Sequence, residues 1–215
     1  MRLSERVLKP ISWANNCQNV TYQSLDASKL KTNFLMHPKI TPSYIFIIFL
    51  SVLLSCFFHE FAHWLMGEYL GNEMTMSMNT VKTVAGYYEE EWHRNIITSA
   101  GPIFTVLQAI FFFFILDKNR NILFYPIFFF PLVYRFFAGL ANIFEANDEG
   151  RLGLHFGIGL YTLSILVTGF LLLLVILISR KHKIGFSFNL INFLFCSVFL
   201  LAVVFADQYF KIQLI

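Results

Sequence analysis

The stretch FFHEFAHWLMGEYLG, residues 57–71, sets two histidines and two glutamates in an otherwise apolar run. A charged side chain at the centre of a bilayer costs on the order of 3 kcal/mol, so groups of this kind are kept there for a use. His59 and His63 are four residues apart. On a helix both imidazoles project from one face about one turn apart. That spacing lets two ring nitrogens hold one zinc ion at about 2.0–2.1 Å. Glu60 is rotated by about 100° from His59 and reaches a water beside the metal without being a ligand. The chemistry such a trio performs is hydrolysis. The metal brings the pKa of its water to about 7 and polarises a carbonyl, while Glu60 takes a proton from the water and returns it to the departing amine. The bland alternative is a polar cluster that bonds neighbouring helices.

Two histidines do not complete a hydrolytic zinc site, which needs a third protein ligand and one open position. Carboxylates at membrane depth are scarce in this chain, and the cluster Glu145, Asp148 and Glu149 is the obvious supply. On a continuous helix Asn142, Glu145 and Glu149 share a face, and Asp148 lies about 60° from Glu145. Geometry alone therefore leaves all three carboxylates open as the third ligand.

These residues need elements to position them, and the composition says which. The 215 residues are 57% hydrophobic and only 13% charged, with 27 phenylalanines. A soluble domain carries nearer one quarter charged residues. A membrane helix needs roughly 20 mainly apolar residues, and such runs occur at about 43–67, 95–116, 121–142, 154–179 and 187–206. The expected fold is an all-α polytopic membrane protein of about five transmembrane helices, with a short membrane-associated β segment. Residues 1–41 form a polar N-terminal arm, 42–152 a three-helix core with a β-like insertion at 72–94, and 153–215 two further spans, all in one domain. Pro42 stands where a helix start tolerates a missing N–H. Ser99, Ala100 and Gly101 permit close helix approach, and Pro102 bends the axis. His155 suits a packed or interfacial position better than a ligand.

The net charge of +3 is small and the basic residues form no long block, so nucleic-acid binding has no support. Cys17, Cys56 and Cys196 are odd in number and imply no disulfide framework. After Gly71, Met74, Met76 and Met78 alternate with Thr75, Ser77 and Asn79, the period of a strand with one apolar and one polar face. A surface hairpin is the plain reading. The functional one is a membrane-skimming strand whose unpaired edge, at Met76, Ser77, Met78 and Asn79, accepts an extended peptide by strand addition.

HEFAH in the first span, the strand-like stretch after it, SAGP in the second span and an acidic residue followed by glycine at the end of the third together resemble the site-2 protease family of intramembrane zinc metalloproteases. The resemblance covers about residues 43–152. It implies a three-helix catalytic core, one zinc ion per chain, Glu60 as general base, and His59, His63 and an aspartate as ligands. Asn142 and Asp148 are the counterparts of the family's asparagine and Asp-Gly pattern, and the resemblance implies that Asn142 orients substrate. The pattern departs from the family's in three ways. The intervening proline is missing, the spacing is shorter, and Glu149 stands between Asp148 and Gly150. The resemblance thus makes Asp148 the expected third ligand, with Glu145 as its rival, because the prenyl-protein type of membrane metalloprotease takes a glutamate there, and Glu149 as a further alternative.

The expected activity is zinc-dependent hydrolysis of peptide bonds in transmembrane or membrane-associated proteins, by a multipass protein of the plasma or inner membrane. Its partners would be a protein substrate and the lipid bilayer. The rival from another class is a catalytically silent scaffold that binds a partner helix, and the presence of Glu60 beside the two histidines argues against it. A di-iron desaturase or hydroxylase would need about eight histidines, and the chain has six.

Overall fold

The first long helix, α1 (Pro42–Tyr69), is started by its own sequence. Thr41 accepts a hydrogen bond from the Tyr44 N–H at 3.2 Å, and Pro42 occupies the first turn, the two devices that satisfy or remove orphan donors at a helix start. The helix stops at Leu70, followed by Gly71 at φ +84°, a left-handed conformation that glycine adopts without a Cβ penalty. The computed structural model describes residues 40–210 and 213–215. The expected N-terminal arm, all but its last residues, and Cys17 lie outside the described residues.

After α1 come two short strands, β1 (Met74–Met76) and β2 (Val81–Thr83), and then α2 (Glu91–Lys118). A 3₁₀ turn at Ile122–Phe124 leads into α3 (Tyr125–Ala141), followed by the short α4 (Asp148–His155), α5 (Thr162–His182) and α6 (Phe186–Phe210). Five segments, α1, α2, the 3₁₀ turn with α3, α5 and α6, are long and apolar enough to cross a membrane. The expected helical multipass architecture is thus observed, with one small antiparallel sheet.

The fourth span differs from the expected 154–179. Its first residues belong to α4, and the membrane helix begins only at Thr162. Gly157 and Gly159, at φ +69° and +95°, turn the chain between the two. The apolar run through Leu154, Phe156 and Ile158 hides this break from a hydropathy reading. The consequence is that Asp148 and Glu149 open a separate helix and are not the tail of the third span.

α3 is the most enclosed of the spans, packed against α1, α2, α5 and α6. Ile48, Val52, Phe130, Val133 and Cys196 are completely or almost completely buried where these helices meet. Between helices in lipid, apolar burial gives little net drive, so close packing and interhelical hydrogen bonds hold the bundle. The Tyr44 hydroxyl donates to Asn192 at 2.9 Å, joining α1 to α6. Gln108 of α2 donates both to Ser55 of α1 at 2.8 Å and to the Ile127 carbonyl at 2.9 Å. Bonds of this kind contribute about 0.6 kcal/mol each on average.

The hairpin is seated on the end of α1. A Cβ at Gly67 would run into the Met74 side chain, and Glu68 accepts the Met74 N–H at 2.8 Å. Register pairs Met74 with Thr83 and Met76 with Val81. Asp207 of α6 takes the Met78 N–H at 3.0 Å and the Ser77 hydroxyl at 2.9 Å. Met76 exchanges bonds with the end of the chain: its N–H donates to the Ile215 carbonyl at 3.1 Å and its own carbonyl accepts from Leu214 at 2.8 Å.

The turn between α4 and α5 yields a matched prediction. A Cβ at Gly153 would strike the backbone carbonyl of Gly159, whereas one at Gly169 meets nothing within 4 Å. Gly153→Ala should cost about 1–3 kcal/mol through overpacking. Gly169→Ala, inside α5, should be neutral or stabilising by up to about 1 kcal/mol. Thermal unfolding of both variants in one detergent compares them directly.

Candidate metal centre

His59, Glu60 and His63 are almost wholly buried in α1, and His63 precedes the end of that helix by six residues, about 9 Å of rise. The second span makes room for the imidazoles. A Cβ at Gly101 would sit inside both rings, meeting His63 Nε2 and His59 Nε2. SAGP therefore does more than allow two helices to approach. Its glycine removes the one atom that would fill the space between the histidine tips.

α2 also fixes which ring nitrogen carries hydrogen. The Ile97 carbonyl can only accept, so His63 Nδ1 donates to it at 2.6 Å. The Thr105 hydroxyl gives its hydrogen to the Gly101 carbonyl at 3.0 Å and accepts from His59 Nδ1 at 2.9 Å. Both Nε2 atoms of the neutral rings are then lone-pair atoms, and they face one another at 3.1 Å. Such second-partner bonds orient metal-binding imidazoles and set their tautomer.

The third group arrives from α4. Asp148 Oδ2 lies 3.3 Å from His59 Nε2 and 3.5 Å from His63 Nε2. His59, His63 and Asp148 thus offer three ligand atoms within 4.8 Å of one another, a group able to hold a metal ion. Arg135 Nη1 stands 3.7 Å from the same carboxylate oxygen, a cation whose charge favours the ionised form of Asp148.

The loop before α4 explains how Asp148 is presented. Asn147 caps the helix by accepting the Asp148 N–H at 2.6 Å. Asn142 Oδ1 takes the Asn147 N–H at 2.7 Å, and its amide donates to Ser164 at 3.1 Å. Both polar ends of Asn142 are occupied within the fold. It braces the loop that carries Asp148, where the resemblance implied contact with substrate.

The other two carboxylates of the cluster go elsewhere. Glu145 is exposed and lies 3.4 Å from Arg151 at the surface. Glu149 is 2% exposed and pairs with Arg135 at 2.9 Å. Arg135, 1% exposed in the middle of α3, also stands 3.7 Å from Asp148 and 3.4 Å from His59 Nε2. Its guanidinium lies over the Tyr134 ring, 4.5 Å from the centroid, and the Tyr134 hydroxyl is 3.4 Å from Glu60. Arg135, Tyr134 and Thr105 were not singled out from the sequence. For Arg135 the signal was available, since a cation within an apolar span implies a partner.

A polar cleft of about 370 Å³ opens beside these groups, lined by Glu60, His63, Asp148, Asn79, Val81 and Lys82 among others. Of the residues expected to meet an extended peptide, Asn79 borders this cleft. Met76 is buried with its outer edge taken by residues 214–215, and Ser77 and Met78 are held by Asp207. The other edge of the hairpin faces differently. Ser77 pairs with Thr80, and Val84 with Glu73, so by alternation Val81 and Thr83 turn their N–H groups away from β1. Among the described residues those two N–H groups have no backbone partner.

The fold and the centre together define a multipass helical membrane protein with a buried His-His-Asp group able to hold a metal. No family model matches the chain, and no curated protein or solved structure matches it either.

Metal content separates Asp148 from Glu145. After dialysis against a divalent cation, Asp148→Ala should lose the ion that the wild-type chain retains, and Glu145→Ala should keep it. Gly101→Ala should also lose it, because its methyl group takes the space between the rings. Elemental analysis of the three purified variants reads this out, and loss of metal in Glu145→Ala alone would contradict the assignment.

Proposed function

We propose that the chain is an intramembrane zinc metalloprotease, acting on transmembrane or membrane-associated protein substrates. The observation that carries this reading is the convergence of two imidazole lone pairs and a carboxylate oxygen, with Glu60 beside them and a polar cleft in front. The three separations, 3.1, 3.3 and 3.5 Å, suit zinc. Ligands about 2.0–2.1 Å from a tetrahedral ion stand about 3.3–3.4 Å from one another. Formal charge supports a divalent ion as well. In their ionised forms, Glu60, Asp148 and Glu149 against Arg135 leave a formal charge of minus two at the centre itself, which a dication cancels.

Bound there, zinc would supply Lewis acidity, making water a nucleophile near neutral pH and polarising a carbonyl. The chain supplies the rest. His59, His63 and Asp148 would hold the ion, and His63, Asp148 and Glu60 line the cleft from which substrate and water arrive. Glu60 takes a proton as the water oxygen bonds to the carbonyl carbon, whose π electrons pass to its oxygen. When the C–N bond breaks, Glu60 gives that proton to the leaving nitrogen, so the peptide is divided into acid and amine with no other reactant. The Tyr134 hydroxyl borders one Glu60 oxygen, at 3.4 Å.

Substrate has to arrive extended, because a helical peptide buries its carbonyls in its own hydrogen bonds. The open edge of β2 at Val81 and Thr83 offers backbone pairing for such a segment at the rim of the cleft. This relocates the pairing edge from β1, where the sequence placed it, to β2.

Glu60→Gln should retain about one zinc per chain and lose cleavage by a factor of about 10²–10⁴, the usual contribution of general acid–base catalysis. New N-termini in a solubilised membrane proteome, identified by mass spectrometry, measure the activity. Undiminished cleavage in a metal-loaded Glu60→Gln variant would defeat the mechanism. Zinc affinity should also fall as pH drops through the imidazole range, because protons compete for both Nε2 atoms. Equilibrium dialysis across that range checks the sign.

A further inference from the structure

Among the described residues, Arg135 is the one buried lysine or arginine, and the hydrolytic scheme does not use it. Its placement is not that of a simple counter-ion. Nη1 faces the carboxylates, 2.9 Å from Glu149 and 3.7 Å from Asp148. Nη2 is turned to the ring beside Asp148, and its one hydrogen-bonding contact among the described residues is His59 Nε2, at 3.4 Å. That is longer than the 2.7–3.2 Å of an ordinary N–H···O or N–H···N bond.

The lone pair on His59 Nε2 can be given only once. Any metal held by the His-His-Asp group takes it, and the Nη2 hydrogens then border the coordination space with no acceptor. A buried donor left without a partner costs about 1–3 kcal/mol, more when it is charged. An acceptor that appears there only during reaction would therefore be bound more strongly than substrate in its resting state. Hydrolysis produces such an acceptor, since attack on the carbonyl carbon moves an electron pair onto the carbonyl oxygen.

The guanidinium is held rigidly enough for this work. Glu149 fixes one edge at 2.9 Å, the Tyr134 ring lies 4.5 Å below its plane, and the whole side chain is 1% exposed. A donor fixed in advance where negative charge develops, in a site shielded from water, is the arrangement that stabilises oxyanions most effectively. Lysine at this position would keep the charge and lose the planar fork that lets one edge bind Glu149 while the other stays free.

We infer that Arg135 is a further catalytic residue, donating from Nη2 to the oxygen that becomes anionic as the scissile carbonyl is attacked. The inference rests on the metalloprotease reading. It adds a second electrophile to the site and gives α3 a chemical role. Glu149 becomes a positioning residue, acting through Arg135.

The test uses the full chain in detergent, loaded with Co²⁺ in place of Zn²⁺, and acetohydroxamic acid as a small anion that binds an open metal position. The visible absorption of cobalt reports the titration without any turnover. Two variants are compared with wild type, Arg135→Lys and the double substitution Arg135→Met with Glu149→Leu. The double variant removes both buried charges at once, an exchange that is often neutral or stabilising. Expected is about one cobalt per chain in all three proteins, with acetohydroxamate bound about tenfold or more weaker in both variants, in line with the loss of one oxyanion donor. Unchanged affinity in either cobalt-loaded variant overturns the inference. So does loss of cobalt from a double variant that keeps its helical circular dichroism, because Arg135 would then serve to hold metal. Should the double variant fail to fold, Arg135→Lys decides alone. A wild-type chain that takes up no cobalt overturns the metalloprotease reading itself, an outcome separate from either of these.

Discussion

Three electron-rich atoms are forced together inside a bundle of apolar helices, and most of the unusual features of this structure follow from that. His59 Nε2, His63 Nε2 and Asp148 Oδ2 lie 3.1–3.5 Å apart, with the opposite nitrogen of each ring already committed to donating. In a medium of low dielectric, unpaired lone pairs and charge at such distances are costly unless a cation joins them. The surrounding fold spends several devices on keeping them close. Gly101 vacates the space between the rings, Thr105 and the Ile97 carbonyl orient them, and Asn142 and Asn147 pin the loop that delivers the aspartate.

That constraint also explains the buried pair of Arg135 and Glu149. A buried ion pair is poor evidence for stability on its own, because desolvation offsets much of the attraction. Beside an anionic site it has a second consequence. The arginine offsets part of the negative charge at the centre, and it keeps a donor beside the three converging atoms. The same region therefore ties together α1, α2, α3 and α4, which is why residues far apart in sequence depend on one another here.

Much of the architecture was legible in the chain. All five membrane helices follow from hydropathy, and the histidine spacing in α1 puts both imidazoles on one face of that helix before any coordinates. The aspartate was one of three open choices, because periodicity assumes a continuous helix, whereas residues 142–147 form a loop that resets the phase and turns Asp148 inward and Glu145 outward. The break at Gly157 and Gly159 was hidden by apolar neighbours that prolong the hydropathy signal. Gly101 was visible as a small residue, but its use depends on which helix faces it. The surroundings of the strand edge were not legible either. Alternation in Met74–Asn79 reveals a strand, yet cannot say that residues 214–215 cover its outer edge and leave β2 facing the cleft.

The central claim is that these three side chains bind one zinc ion together. X-ray absorption at the zinc edge of the purified, zinc-loaded chain examines that ion's immediate surroundings most directly. The account predicts two imidazole nitrogens and one carboxylate oxygen, with a lighter fourth scatterer, at about 2.0–2.2 Å. A spectrum without imidazole scattering, or one dominated by sulfur, would contradict it.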